Sequence, residues 1–267
     1  MSVIRSNTIV FLHGLFVNAK CWDEWKLFFE EKGFTCYAPS NPYHDAEPDQ
    51  LRTYTDPKFR KLNFKDLVNN AADFIDNLPE KPILIGHSLG GLVVQKLLSM
   101  NKGIAGICIS TAPPLGIITF KWSFWRSNFP VINYFMGNSL FKPSKKWFHY
   151  AMTNTMTSLE ADQVYEDYWI PESRNIPRGT LGLFAFISFK KTRSPLLFLS
   201  GELDHIIPSS LVEKNFKAYK NNTALNVYKE FPNRDHFILG ETGWQEVAEY
   251  AADWIKSLST NFYGRTM

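Results

Sequence analysis

Cysteine is scarce: Cys21, Cys36 and Cys108 are the three in 267 residues, an odd number with no C-x-x-C pair. That count and spacing argue against a disulfide framework and against a structural zinc site, and leave the three as small buried residues. Charge of one sign is also short, because 29 Lys and Arg against 26 Asp and Glu give a net charge of only +3. A nucleic-acid partner would require a concentrated basic face and a recognisable module, and the chain shows neither. No apolar run approaches the roughly 20 residues of a membrane span. The short run Thr8-Ile-Val-Phe-Leu12 after Arg5 lacks a small-residue cleavage site and continues directly into His13-Gly14-Leu15, so it is not read as a signal sequence. Repeats and low-complexity tracts are missing as well. The expectation is a soluble cytoplasmic protein without an integral membrane segment.

Hydrophobic residues at 45% and charged residues at 21% are ordinary globular values. Short apolar runs bounded by turn residues recur at 8–12, 35–38, 82–85, 104–109, 195–199 and 225–231. Their length and β-branched content predict strands buried on both faces, as in a parallel sheet. Between them lie helical patterns. Asn18 is placed to cap a helix carrying Trp22, Trp25, Phe28 and Phe29 and stopping near Gly33, and Asn63 to cap one carrying Phe64, Leu67, Val68, Ala71, Ile75 and Leu78. A third helix follows Ser88, and Trp244, Val247, Ala251, Ile255 and Leu258 mark a fourth, with fraying from about Ser257 onward. Strands alternating with helices predict an α/β fold: a mostly parallel sheet of about six strands flanked by helices, its ligand crevice at the carboxyl ends of the strands. The alternation breaks over 112–194, too long for a simple connection. The expected organisation is a core domain of 1–111 and 195–267 with an inserted helical cap of 112–194.

The strongest local signal is Gly86-His87-Ser88-Leu89-Gly90-Gly91, between the apolar strand at 82–85 and the helical run that follows. A serine on a sharp strand-to-helix turn takes a strained backbone that lifts its hydroxyl into the crevice, and only small residues two before and two after avoid a clash. Gly86 and Gly90 meet that demand. The helix start also sets the backbone N–H of Leu89 beside the reacting oxygen. A serine hydroxyl is a poor nucleophile at neutral pH, so the chain should supply a base and a group that orients it. Asp204 follows the strand at 195–199, and His236 follows the last strand. The chain order is therefore Ser88, Asp204, His236.

With these segments assembled, the sequence resembles the α/β-hydrolase family over nearly the whole chain outside the cap. His13-Gly14-Leu15 is similar to the family's oxyanion-hole segment, Gly201-x-x-Asp204-x-Ile206-Ile207-Pro208 to its acid loop, and Asp235-His236-Phe237 to its histidine loop, where a glycine more often precedes the histidine. The resemblance implies Ser88 as nucleophile, His236 as general base, Asp204 as the acid orienting it, and Leu15 and Leu89 as the oxyanion-hole N–H donors. It implies no cofactor. The family's usual N-terminal hairpin is missing or reduced here, which predicts six strands, with 2–6 as a possible stub. His13 is read as a structural residue of the oxyanion loop, His87 as pointing away from the hydroxyl, His205 as packing or surface, and His44 and His149 as outside the chemistry. No His-x-x-x-His or carboxylate cluster supports a metal site.

Serine rather than aspartate at the elbow suits acyl carbonyls, so small hydrophobic carboxylic esters and lactones lead. Acyl-thioesters remain as an alternative, as does a lid-closing small-molecule receptor with slow hydrolysis. Perhydrolysis, carbon–carbon hydrolysis and cyanohydrin cleavage are minority readings. The cap is crowded with aromatics: Phe120, Trp122, Phe124, Trp125, Phe129, Tyr134, Phe135, Phe141, Trp147, Phe148 and Tyr150. Most are expected to hold the cap helices onto the sheet, and the rest to line an apolar acyl pocket. The cap also carries ten basic against five acidic residues. A solvated basic face is the first reading of that excess, and attraction of anionic substrates or a lipid surface the second. The loop at 41–60 is expected to border the crevice.

Overall fold

The computed structural model describes residues 6–191, 194–219 and 225–260, with side chains through Leu258. In chain order the elements are β1 (Thr8–Leu12), α1 (Asp23–Glu31), β2 (Thr35–Tyr37), α2 (Pro48–Thr53), α3 (Phe64–Asp76), β3 (Ile83–His87), α4 (Leu89–Ser99) and β4 (Ala105–Ile109). There follow α5 (Trp122–Ile132), β5 (Leu140–Phe141), α6 (Lys145–Ala151), α7 (Ser158–Tyr168), β6 (Glu172–Ser173) and α8 (Asn175–Gly179). The chain then returns through β7 (Leu196–Gly201), α9 (Ser209–Ala218), β8 (Asn226–Phe231) and α10 (Trp244–Thr260). The proposed stub at 2–6 lies outside the described residues except for Ser6, and so does the tail beyond 260.

Six strands form one parallel sheet in the order β2-β1-β3-β4-β7-β8. The central strands β1, β3, β4 and β7 are buried along their whole length, which is why they read as continuous apolar runs. The edge strands differ from the expectation of burial on both faces. Five of the six residues in β8 are only partly buried or exposed, and β2 buries Cys36 alone. An edge strand has one neighbour and a partly solvated face, so polar residues such as Lys229 and Glu230 are accommodated there.

The flanking helices form where the sequence provides caps and stripes. Asn63 accepts hydrogen bonds from the N–H groups of Lys65 and Asp66, and Asp66 returns a bond to the Asn63 N–H, satisfying donors that the first turn otherwise leaves unpaired. Phe64, Leu67, Val68, Ala71 and Ile75 of α3 then face the core. Asn18 caps a short 3-10 turn, Ala19–Trp22, which leads into α1. There Trp25 and Phe29 are buried, Phe29 against Phe11 of β1 and Trp25 against Trp244 of α10. Burying aromatic side chains of this kind stabilises the fold by about 2 kcal/mol each. All three cysteines are buried and unpaired.

β1 leads to β2 on one side, and the chain then crosses to β3 on the other side of β1. The strand order therefore reverses between β1 and β3. At such a reversal the post-strand loops diverge to opposite faces and leave a crevice at the carboxyl ends. The loops after β1 and β3 are those carrying Gly14-Leu15 and Ser88.

Candidate active site

Ser88 joins β3 to α4 with φ 55° and ψ −119°, a conformation that costs a non-glycine residue on the order of 1–3 kcal/mol. Neighbouring bonds hold it there: the Ser88 N–H donates to the Ile109 carbonyl at 2.9 Å, and the Ser88 carbonyl accepts from Ala112 N–H at 2.9 Å and from Gly91 N–H at 3.1 Å. The glycines around the turn are dictated by contact. A Cβ on Gly90 would stand 2.0 Å from the Leu12 carbonyl oxygen, and one on Gly86 2.3 Å from the Gly90 oxygen. Helix α4 begins at the next residue, so its N-terminal dipole is directed at the Ser88 side chain.

The loop after β1 lies against this turn. A Cβ on Gly14 would approach the Ser88 Cβ to 2.8 Å, so the backbone comes that near only without a side chain. His13 shapes the loop: its Nδ1 donates to the Gly14 carbonyl at 2.8 Å, and its Nε2 accepts from the Asn41 N–H at 3.1 Å. That pairing requires the neutral ring. Burial, reinforced by nearby His44, lowers its pKa to about 3.

Asp204 sits in the turn after β7 and His236 in the loop after β8. The two loops are laced together, since the Leu203 N–H donates to the Arg234 carbonyl at 2.9 Å and the Asn233 N–H to the Glu202 carboxylate at 3.0 Å. One Asp204 oxygen accepts from the N–H groups of Ile206 and Ile207 at 2.8 and 2.7 Å. Its other oxygen accepts from His236 Nδ1 at 2.7 Å, and His236 Nε2 lies 3.0 Å from the Ser88 hydroxyl. The three side chains singled out in the sequence thus stand in one hydrogen-bonded row, all buried. His87 points away from the hydroxyl and donates from Nε2 to the His236 carbonyl at 2.7 Å. It thereby fixes the histidine loop from beneath, a contact that no sequence spacing announces.

Above the row lies a cavity of about 180 Å³. Leu15, Ser88, Leu89 and His236 form its floor, and its walls come mainly from the segment between β4 and β7, including Phe124, Asn128, Trp147, Met152 and Leu181. No Asp, Glu, Lys or Arg is among its lining residues. The 41–60 loop contributes no wall either, contrary to expectation. It braces the β4–β7 segment instead. His44 donates from Nδ1 to the Pro42 carbonyl at 2.8 Å and from Nε2 to Glu172 at 3.0 Å, and Arg52 donates to the Trp169 carbonyl at 2.8 Å. Burial alone would lower the His44 pKa, but the Glu172 carboxylate and these bonds outweigh it and raise it, favouring the charged ring opposite Glu172.

The aromatic expectation also needs correction. Phe141 and Phe148 are buried, but six of the eleven, Phe120, Trp122, Trp125, Phe129, Tyr134 and Phe135, are exposed. The helices are fastened by other means. Arg174 donates to the carbonyls of Pro130 and Val131, and Arg178 to those of Ile132 and Asn133, satisfying the open C-terminal end of α5. Part of the basic excess is therefore structural.

Asp235 stands where the family more often has glycine, and its carboxylate explains the substitution. It accepts from the Phe237 N–H at 2.9 Å and from the Thr155 N–H and hydroxyl at 3.1 and 2.7 Å, tying the histidine loop to the segment above it. The Thr155 oxygen also lies 3.2 Å from Glu241. One hydroxyl proton serves one carboxylate, so a protonated Glu241 donates to Thr155 while Thr155 donates to Asp235. Burial and the neighbouring Asp235 charge raise Glu241 to about 8, and burial raises Asp235 to about 6. Between the ordinary carboxyl pKa and these values the folded chain binds more protons than the unfolded one, so their contribution to stability falls as pH rises from about 4 to about 8. Glu241→Gln keeps an acceptor and a donor for Thr155 without the charge. Thermal melts of the wild type are expected to show a Tm that drops between pH 5 and pH 8, and Glu241→Gln is expected to shrink that drop; an unchanged drop would contradict the assignment.

Residues 9–250 match the alpha/beta hydrolase family. The chain belongs to that family. No curated protein sequence matches it. Among solved structures, it is similar to the monoacylglycerol lipase of Paleococcus ferrophilus, at 20% identity and a TM-score of 0.70 over 94% of this chain and 95% of that one. It is also similar to tomato methylketone synthase I complexed with β-ketoheptanoate, at 16% identity and a TM-score of 0.70 over 96% and 100%. The Arabidopsis methylesterase MES16 matches at 16% identity and a TM-score of 0.63 over 93% and 98%. At these identities the likeness is one of fold.

Proposed function

We propose that this chain is a serine hydrolase cleaving uncharged carboxylic esters or lactones with small hydrophobic acyl groups. The observation that carries the reading is the row from Asp204 through His236 to Ser88 at the floor of an apolar cavity. In this reading the Ser88 oxygen attacks the acyl carbonyl while His236 Nε2 takes its proton, and Asp204 holds the Nδ1–H tautomer and stabilises the imidazolium. The carbonyl oxygen, now an oxyanion, accepts from the backbone N–H groups of Leu15 and Leu89, each worth about 3 kcal/mol in the transition state. Collapse expels the alkoxide, which takes the proton from His236 and leaves the acyl group on Ser88. Water, deprotonated by His236, then releases the acid and restores Ser88. No step calls for a cofactor.

Residues 112–194 serve in this proposal as a cap whose underside roofs the acyl site. The similarity to monoacylglycerol lipase and methylesterase structures supports ester chemistry. The uncharged walls favour a neutral ester over an anionic acyl-thioester carrier. A cavity of this size suits a group slightly larger than a benzene ring, which fits engineered apolar cavities of about 150 Å³. With p-nitrophenyl esters, kcat/KM is therefore expected to be at least ~10-fold higher for the butyrate than for the palmitate. A palmitate preference would contradict the acyl-site assignment, and tight ligand binding without turnover would identify a receptor instead.

A further inference from the structure

Helix α5 buries only part of its apolar surface. Its inward face presents Phe124 and Val131, which pack on the core, together with Ser127, whose hydroxyl bonds to the His205 carbonyl at 3.2 Å, and Asn128, whose amide bonds to the Ile206 carbonyl at 3.0 Å. Its outward face presents Trp122, Trp125 and Phe129, at spacings of three and four residues, which place them on one stripe. The exposure continues on both sides of the helix: Phe120 is 87% exposed, Trp122 73%, Phe129 65% and Phe135 99%. Exposed aromatic side chains gathered in one short segment mark an interaction surface.

The same surface continues into the cavity. Ile118, Trp125 and Leu181 are exposed and also line the pocket above Ser88. Its charge is one-sided: no Asp or Glu occurs between Lys81 and Leu159, while Lys121 and Arg126 flank the aromatic stripe. Lys214 reaches the rim and donates to the Ile118 carbonyl, and Lys96 donates to the carbonyl of Phe186, itself exposed. Lys190 and Lys191 are exposed nearby in the chain. Aromatic side chains interleaved with cations in a chain segment without carboxylates match the interface of an anionic bilayer, where rings enter the acyl boundary and ammonium groups stay among the phosphates. Among the described residues no helix is long and apolar enough to cross a membrane.

We propose that the surface formed by 118–136 docks the protein on an anionic lipid bilayer, with the mouth of the cavity facing the membrane. Resting on the hydrolase reading, this makes the substrate one that partitions into lipid and enters from the bilayer. The test is co-sedimentation of the full chain with sucrose-loaded vesicles of phosphatidylcholine and phosphatidylglycerol, without substrate, so that it stands or falls apart from turnover. The wild type is expected to partition onto the vesicles, more weakly onto pure phosphatidylcholine and more weakly at high salt. The combined variant Trp122→Ser, Phe129→Ser, Phe135→Ser should lose at least ~10-fold in partition with an unchanged Tm, while Leu27→Ser on the exposed face of α1 should behave as wild type. Absence of wild-type binding, or equal binding by the triple variant, would overturn the proposal. So would self-association that the triple variant abolishes without any vesicle binding, which would assign this face to a second copy of the chain.

Discussion

Ser88→Ala is expected to lower kcat/KM for p-nitrophenyl butyrate by about 10⁴- to 10⁶-fold while leaving the Tm within a few degrees of wild type. The loss is large because, among the described residues, no other hydroxyl is bonded to the His236 imidazole, and it is the Ser88 hydroxyl that donates to Nε2 across their 3.0 Å contact. The fold should survive because the bonds that hold the turn, from Ser88 N–H to Ile109 and from Ala112 and Gly91 to the Ser88 carbonyl, are made by backbone. A residual rate above background is expected, since the oxyanion donors and the cavity remain. A variant retaining more than about a tenth of wild-type turnover would remove Ser88 from the mechanism.

Asp204→Asn is the second large effect, about 10⁴-fold in kcat with little change in KM. The carboxylate performs two jobs with its two oxygens. One accepts from the Ile206 and Ile207 N–H groups, and the other accepts from His236 Nδ1. An asparagine keeps its carbonyl oxygen on the two backbone donors and turns its amide NH₂ toward the imidazole. Histidine must then accept at Nδ1 and carry its proton on Nε2, where it no longer takes the proton from Ser88. The defect is therefore one of tautomer, readable as a kcat loss with substrate binding intact. A loss confined to KM would mean that Asp204 acts on binding instead.

The parts of this structure that were legible in the sequence are those whose cause is local. A buried parallel strand is a run of β-branched and aromatic residues, and residues 8–12 show it without any tertiary information. The Gly86–Gly90 spacing around Ser88 is legible for a similar reason: the close approach at Gly90 is to the Leu12 carbonyl next door in the sheet, a contact that any such turn makes. Asp204 and His236 were found because each follows a recognisable strand. By contrast, Asp235 meets Thr155 across 80 residues and His44 meets Glu172 across 128. Nothing in the spacing of a threonine or a loop histidine announces such a partner.

The aromatics of 112–194 were misread for a related reason. Apolar character predicts burial only when a surface exists to bury it against, and the sheet beneath is already covered by other side chains. Phe141 and Phe148 find places in the core, whereas α5 turns Phe124, Ser127, Asn128 and Val131 inward and leaves Trp122, Trp125 and Phe129 exposed. Helix amphipathicity read from sequence gives the stripe but not the direction in which it points.

The central claim is tested most directly by incubating the protein with a fluorophosphonate ester and locating the adduct by mass spectrometry. The hydrolase account predicts one phosphonyl group per chain, carried on the peptide containing Ser88, with labelling lost in Ser88→Ala and strongly slowed in His236→Ala. Labelling at another residue, or equal labelling of Ser88→Ala, would contradict it.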